Sequence, residues 1–271
     1  MSAEKAQVVA TYTAAADHYD DAAEAFWGYF GRRTVERLAL PAGARVLDAC
    51  CGTGTAALPA AEAVGTTGFV LGVDLTPALL AKAEAKARRR ALHHLRFVCA
   101  DLECGVPSRV AFDAVTCVFG IFFLPDMAAM LRRLWESVRP GGAVAVTTWG
   151  RTVLEPVSGI FWEHVRQERP DLHRAFEPWQ RVATAKDLAA LFAAAGVPDA
   201  QTETEARAVP LASPEAFWDV ILGSGYRGTL EQMNLEERER VRVGVLGKLR
   251  SDRASVLEME VVYGTARRRE P

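Results

Sequence analysis

Val46-Leu47-Asp48-Ala49-Cys50-Cys51-Gly52-Thr53-Gly54-Thr55 is a short apolar run that ends on an acidic residue and opens into a turn with two glycines. The run reads as a buried strand, and the Ala-rich segment after it reads as a helix. Glycines in such a turn permit positive φ and let backbone amides approach a ligand closely. A carboxylate four residues ahead of the first glycine suits a ligand that carries a positive group. Gly52-x-Gly54-x-x-Ala57 also satisfies the dinucleotide fingerprint, with Asp74 about 20 residues beyond it, so the glycines alone leave two ligand classes open. The methionine ammonium of S-adenosylmethionine fits Asp48, whereas a pyrophosphate would be repelled.

Outward from this loop, short apolar runs alternate with longer amphipathic segments, the pattern of repeated βα units around a parallel sheet. Strands are expected at 45–49, 69–74, 95–99, 112–119 and 143–149, and helices at 55–63, 77–90 and 127–138. Thr76 before Pro77 reads as a helix cap followed by proline at the first helical position. Arg139-Pro140-Gly141-Gly142 reads as a helix stop and a tight turn. Residues 4–40 look helical and are dense in aromatics, including Tyr12, Tyr19, Phe26, Trp27, Tyr29 and Phe30, as expected of a cap. Beyond the core, helices are expected at 157–168, 184–195, 214–222 and 236–249, and strands at 202–209 and 257–265.

The chain has 271 residues, 50% of them hydrophobic, enough for one globular unit. We expect a single domain over 1–271, with a helical cap at 1–40, a cofactor-binding core at 41–150, and substrate-side helices and late strands at 151–271. A formal net charge of -2 supplies no field for a polyanion, which argues against nucleic acid and for a small-molecule partner. No segment approaches the roughly 20 apolar residues of a membrane span, and no apolar h-region follows a basic start. A cytoplasmic protein is therefore expected. The five cysteines, 50, 51, 99, 104 and 117, are an odd number and are expected as reduced thiols. Cys50-Cys51 lacks the C-x-x-C spacing, and no metal site is expected.

Two further motifs lie where strands end: Asp101-Leu102 after the third, and Arg139-Pro140-Gly141-Gly142 before the fifth. Together with the first loop and Gly72-Val73-Asp74, they give residues 44–150 a clear resemblance to the class I S-adenosylmethionine-dependent methyltransferases. The motifs are most similar to the small-molecule branch of ubiquinone and menaquinone biosynthesis. The resemblance implies an α/β fold: a doubly wound, seven-stranded, mostly parallel Rossmann-like sheet with an antiparallel last strand pair and helical cap elements. It implies that Asp48 and the backbone from Cys50 through Gly52 to Gly54 hold the methionine part of the cofactor. Asp74 would accept both ribose hydroxyls, Leu75 would pack on the adenine, Asp101 would accept from its amine, and Leu102 would offer an amide to the ring. Cys117 and Phe119 would flank the reacting centre, and Tyr19 of the cap would join the cofactor site. The family usually has glycine where this sequence has Cys50.

Methyl transfer from a sulfonium is an in-line displacement, so the protein mainly aligns donor and acceptor. A phenol or quinol acceptor benefits from a general base, for which His18, in Asp17-His18-Tyr19-Asp20, is the candidate. Phe26, Trp27, Phe122, Phe123 and Trp149 are candidates to line an apolar acceptor pocket, and Arg227 to grip an acidic substrate group. The expected function is O- or C-methylation of an aromatic, quinol or polyketide-like small molecule. Two alternatives stay open: a cofactor-binding protein of this fold that performs another step or regulates, and a nicotinamide oxidoreductase. The oligomeric state is open, with a homodimer as one option.

Overall fold

The computed structural model describes residues 2–20, 24–174 and 177–270. In chain order the elements are α1 (Ala3–Ala15), α2 (Glu24–Leu38), β1 (Arg45–Ala49), α3 (Ala57–Val64), β2 (Phe69–Asp74), α4 (Pro77–Arg89), β3 (Leu95–Cys99), β4 (Phe112–Val118), α5 (Met127–Glu136) and β5 (Val138–Trp149). They continue with α6 (Val157–Glu168), α7 (Ala185–Ala194), β6 (Gln201–Pro210), α8 (Pro214–Leu222), α9 (Arg227–Leu230), α10 (Leu235–Ser251) and β7 (Val256–Arg267). The chain divides into two compact units. One comprises Met1–Phe26, Thr152–Glu177 and Ala206–Glu260; the other comprises Trp27–Arg151, Pro178–Glu205 and Val261–Pro271.

β1 to β5 and parts of β6 and β7 belong to the second unit, and the seven strands run in the order β3-β2-β1-β4-β5-β7-β6. Strands β1 to β5 pair in parallel, and β7 pairs antiparallel with β5. The chain builds outward from β1 through β2 to β3, then returns to place β4 on the other side of β1. The strand order therefore reverses between β1 and β4, at whose carboxyl ends an open α/β sheet presents its binding crevice. This is the doubly wound, mostly parallel arrangement expected from the βα alternation. One face of the sheet packs small residues against valines: Ala56, Ala57, Ala60 and Ala61 meet Val46, Val70 and Ala114. Small side chains there let α3 approach the sheet closely, which fixes where its N-terminal loop can sit.

Several local expectations change. The N-terminal helical stretch is two helices, with a turn after Ala15; residues 21–23 lie outside the described residues. Helix α3 starts at Ala57, two residues later than expected, because Gly52 and Gly54 hold φ of +53° and +86°. α5 stops at Glu136, and Arg139-Pro140-Gly141-Gly142 is an irregularity within β5, where the pairing with β4 skips from Phe112↔Val138 to Ala114↔Ala143. Pro77 does open α4, but the Thr76 side chain makes no capping bond; the Thr76 amide instead donates to Asp74 Oδ1 at 2.8 Å. Thr184 caps α7, accepting from the Asp187 amide at 3.1 Å.

In the first unit α10 packs on α6 and α8, and α1 packs on α9. Asn234 and Glu237 form a reciprocal capping box at the start of α10, satisfying two helix-end groups. Tyr226 is buried by a stack on Phe161, with ring centroids 5.2 Å apart, and its hydroxyl donates to Ser158 Oγ at 2.9 Å. Among the described residues no helix is long and apolar enough to cross a membrane.

Helix α2 touches the loop after β1 through Gly31: a Cβ there would stand 2.2 Å from the Thr55 carbonyl oxygen and 2.5 Å from its carbon. Both obstacles are backbone, so the contact has no side chain to swing away. Gly31→Ala is therefore expected to destabilise the protein by about 1–3 kcal/mol, the usual range for overpacking. Thermal denaturation checks this; an unchanged Tm would mean that α2 does not bear on the loop.

Candidate functional site

The carboxyl ends of β1, β2, β3, β4 and β5 bring together Asp48, Asp74, Asp101, Phe119 and Trp149, each at or beside its strand end. Asp48 is 1% exposed. The β1–β4 register places Asp48 opposite Thr116, whose hydroxyl donates to Oδ1 at 2.7 Å. The other oxygen, Oδ2, is buried with no hydrogen-bond partner among the described residues. Burial pushes the Asp48 carboxyl up from 3.8 to about 7, with Asp74 adding to the rise while the Thr116 hydroxyl and the Ala57 amide oppose it. A buried carboxylate with a bare oxygen is costly when charged, and a cation placed against it would remove that cost.

The loop that follows is wound by three residues in the left-handed region: Cys50 at φ +57°, Gly52 and Gly54. Only glycine adopts this conformation freely, so Cys50 carries a cost of about 1–2 kcal/mol, which explains why glycine suits this position. Its side chain lies against Gly120, where a Cβ would come 2.4 Å from Cys50 Cβ and 3.3 Å from Cys117 Sγ. The hydrogen bond between the Cys50 and Cys117 thiols, then burial, push Cys50 well above the ordinary thiol range, and burial does the same to Cys51. Both are protonated and inert at neutral pH, consistent with packing rather than nucleophilic roles.

Asp74 is tied into this loop. Its Oδ2 accepts from the Gly52 amide at 2.9 Å while Oδ1 takes the Thr76 amide, and burial raises its pKa. The Thr76 side chain and the Leu75 amide also hydrogen-bond to this carboxylate and oppose that rise. The amides of Cys51, Gly52 and Gly54 are all committed to protein acceptors, Val73 O, Asp74 Oδ2 and Cys51 O. Leu75 is half-buried beside Asp74. Asp101 Oδ1 accepts from the Glu103 amide at 2.9 Å and opens a short 3-10 turn in which Leu102 is buried.

Phe119, just past β4, is also left-handed at φ +53°, unusual for a bulky residue and held by its amide bond to Thr147 O at 2.8 Å. Its ring stacks on Trp149 at 4.3 Å and meets Trp27 edge-on at 5.1 Å. Trp27, Phe122 and Trp149 are buried, whereas Phe119 and Phe123 keep exposed surface. Phe26, His18, Tyr19 and Arg227 belong to the first unit. There Phe26 is fully buried, His18 and Tyr19 are half-buried, Tyr19 packs edge-on to Tyr12, and Arg227 pairs with Glu231 at 2.7 Å one helical turn away. Sequence reasoning missed Thr116 and Gly31. Neither carries a local signal, because their roles arise from the β1–β4 register and from the packing of α2.

The model of the ubiE/COQ5 methyltransferase family matches residues 4–176. The chain belongs to that family. It is a methyltransferase that uses S-adenosylmethionine. It is similar to the aklanonic acid methyltransferase DauC of a Streptomyces species, 35% identical over 148 residues that cover 54% of this chain and 67% of that protein. It is also similar to a demethylmenaquinone methyltransferase of Anoxybacillus flavithermus, 29% identical over 165 residues, covering 59% of this chain and 69% of that one. Among solved structures, the YcgJ protein of Bacillus subtilis shares the fold at a TM-score of 0.57 with 16% identity, over 90% of this chain and all of that one.

The Asp48 geometry has a measurable consequence for the ligand-free protein. Its folded pKa of about 7 lies above the unfolded value of 3.8, so between those values the native state holds a proton that the unfolded chain has released. Stability therefore falls as pH rises through that window, and above it the whole cost of the buried charge is present. Asp48→Asn is expected to raise Tm by several degrees at pH 8 and by much less at pH 4.5. A lower Tm at pH 8 than at pH 4.5, relative to wild type, would contradict a buried uncompensated carboxylate.

Proposed function

We propose that this methyltransferase acts on a small aromatic, quinol or polyketide-like acceptor, with the cofactor held along the β1, β2 and β3 ends. The observation that carries the cofactor side is the bare, buried Oδ2 of Asp48 at the strand-order reversal. S-Adenosylmethionine supplies an ammonium that matches this oxygen and an electrophilic methyl on sulfur. Asp48 would take the ammonium. Asp74 would take the ribose hydroxyls, Asp101 the adenine amine and Leu102 the ring. Leu75, Cys117 and Phe119 would supply the apolar walls, and the left-handed turn at Cys50, Gly52 and Gly54 would keep the backbone close to the ligand. The same carboxylate disfavours a pyrophosphate, which is the physical argument against the nicotinamide reading.

On the acceptor side, Phe119 and Phe123 keep accessible surface at the β4 end, as does Trp179, whose ring meets Phe122 edge-on. An aromatic ring packed on them would lose water and gain edge or face contacts worth about 0.5–1.5 kcal/mol per ring pair. The two relatives, named for aklanonic acid and for demethylmenaquinone, support the acceptor class. The nucleophile decides the product: a carboxylate oxygen would give a methyl ester, a ring carbon a C-methyl product.

The test is transfer of a labelled methyl group from S-adenosylmethionine to a panel of polyketide acids, quinols and phenols. Label in an extractable aromatic product is expected; base-labile label identifies ester formation and base-stable label a carbon or ether. Cofactor binding with no labelled product across the panel would sink the acceptor assignment. A companion measurement addresses Asp48. The cofactor Kd should rise as pH is lowered from 7 toward 5, by up to about tenfold per unit, because the carboxylate must first lose its proton. In Asp48→Asn the Kd should be weak and flat over that range; a wild-type Kd independent of pH would remove Asp48 from the ammonium.

A further inference from the structure

Lys86 lies on α4, the helix that follows Asp74, and is 5% exposed. Its Nζ donates to Thr53 Oγ1 at 2.9 Å, and Thr53 is fully buried between Gly52 and Gly54. Burying an ammonium is expensive, and this one donates to the one side chain between two left-handed glycines. The amide of Gly52, one residue earlier, is held by Asp74 from the end of β2. Two bonds from the same β2–α4 segment therefore grip adjacent residues of the β1–α3 loop, one through its backbone and one through a side chain.

We propose that Lys86 is a positioning residue for cofactor binding: through Thr53 it holds the glycine turn in its binding shape before the ligand arrives. The inference rests on the reading that this turn holds the methionine part of S-adenosylmethionine. A turn with glycines at two of three positions has many conformations open to it, and fixing one costs conformational entropy on binding if the protein has not already fixed it. The charged hydrogen bond from Lys86 fixes it in the free protein. The bond acts on Thr53, whose side chain faces into the fold, so Lys86 needs no contact with the ligand. Its effect should appear in cofactor affinity and leave the transfer step alone.

The experiment measures the calorimetric Kd for S-adenosylmethionine, steady-state KM and kcat, and Tm. It compares Lys86→Met, Thr53→Val, the double variant, Thr53→Ser and Asp48→Ala. Removing either partner of the bond is expected to weaken cofactor binding about tenfold, the lower end for a hydrogen bond to a charged group. KM for the cofactor should rise in parallel, while kcat at saturating cofactor stays within about twofold, since the bond is the same in ground and transition states. The double variant should be no weaker than the worse single variant, and Thr53→Ser, which keeps the hydroxyl, should bind like wild type. Should Lys86→Met fail to fold, the Thr53→Val and Thr53→Ser pair still decides the matter. A wild-type Kd in Thr53→Val, or a loss confined to Tm, overturns the proposal. If those variants bind normally while Asp48→Ala does not, the inference about Lys86 alone fails; if Asp48→Ala also binds normally, the cofactor-site reading fails with it.

Discussion

A carboxylate buried at the place where the strand order reverses is the interaction on which the rest of this site depends. Asp48 sits on an interior strand, so both of its neighbours are strands, and the β1–β4 register supplies Thr116 for one oxygen only. The fold thus creates an acidic group that it does not fully satisfy. Such a group persists where something outside the chain satisfies it, and a ligand ammonium is the partner of matching charge. The arrangement resembles a lock set for a cation, held open at the cost of folded-state stability.

Around that carboxylate the loop is over-determined. Positive φ at Cys50, Gly52 and Gly54 sets its course, Asp74 and Lys86 fix it from the β2–α4 side, and Gly31 admits α2 to contact at Thr55. Strain at Cys50 and at Phe119 falls at the ends of the two strands that flank the reversal. Backbone strain of about 1–3 kcal/mol per residue persists where surrounding structure holds it, and it concentrates at binding sites. Here the two strained residues follow neighbouring strand ends, beside Asp48.

Much of this was legible in the sequence, for identifiable reasons. The βα alternation from 45 to 149 reports local periodicity, and each of its strands appears within a few residues of its expected bounds. The acidic strand ends at Asp48, Asp74 and Asp101 are local signals too. What the sequence did not disclose is relational. Nothing near Thr116 announces that register will bring it to Asp48, and nothing near Lys86 announces a partner 33 residues away. Nor does the sequence announce that Trp27 and Trp149, from distant parts of the chain, meet each other and Phe119 as a cluster of rings. Pro140-Gly141-Gly142 read as a turn because its composition is that of one; the pairing with β4 skips it, while backbone bonds of Gly141 and Gly142 with Arg268 carry the strand through it.

The central claim is that Asp48 recognises a ligand ammonium. Its most direct test is a calorimetric comparison of S-adenosylhomocysteine with the analogue that lacks only the α-amino group, at pH 7.5, in wild type and in Asp48→Asn. Wild type is expected to bind the amino compound at least about tenfold more tightly, as a charge-assisted contact to a buried group requires, and Asp48→Asn to lose most of that discrimination. Equal affinities for the two ligands in the wild-type protein would contradict the account.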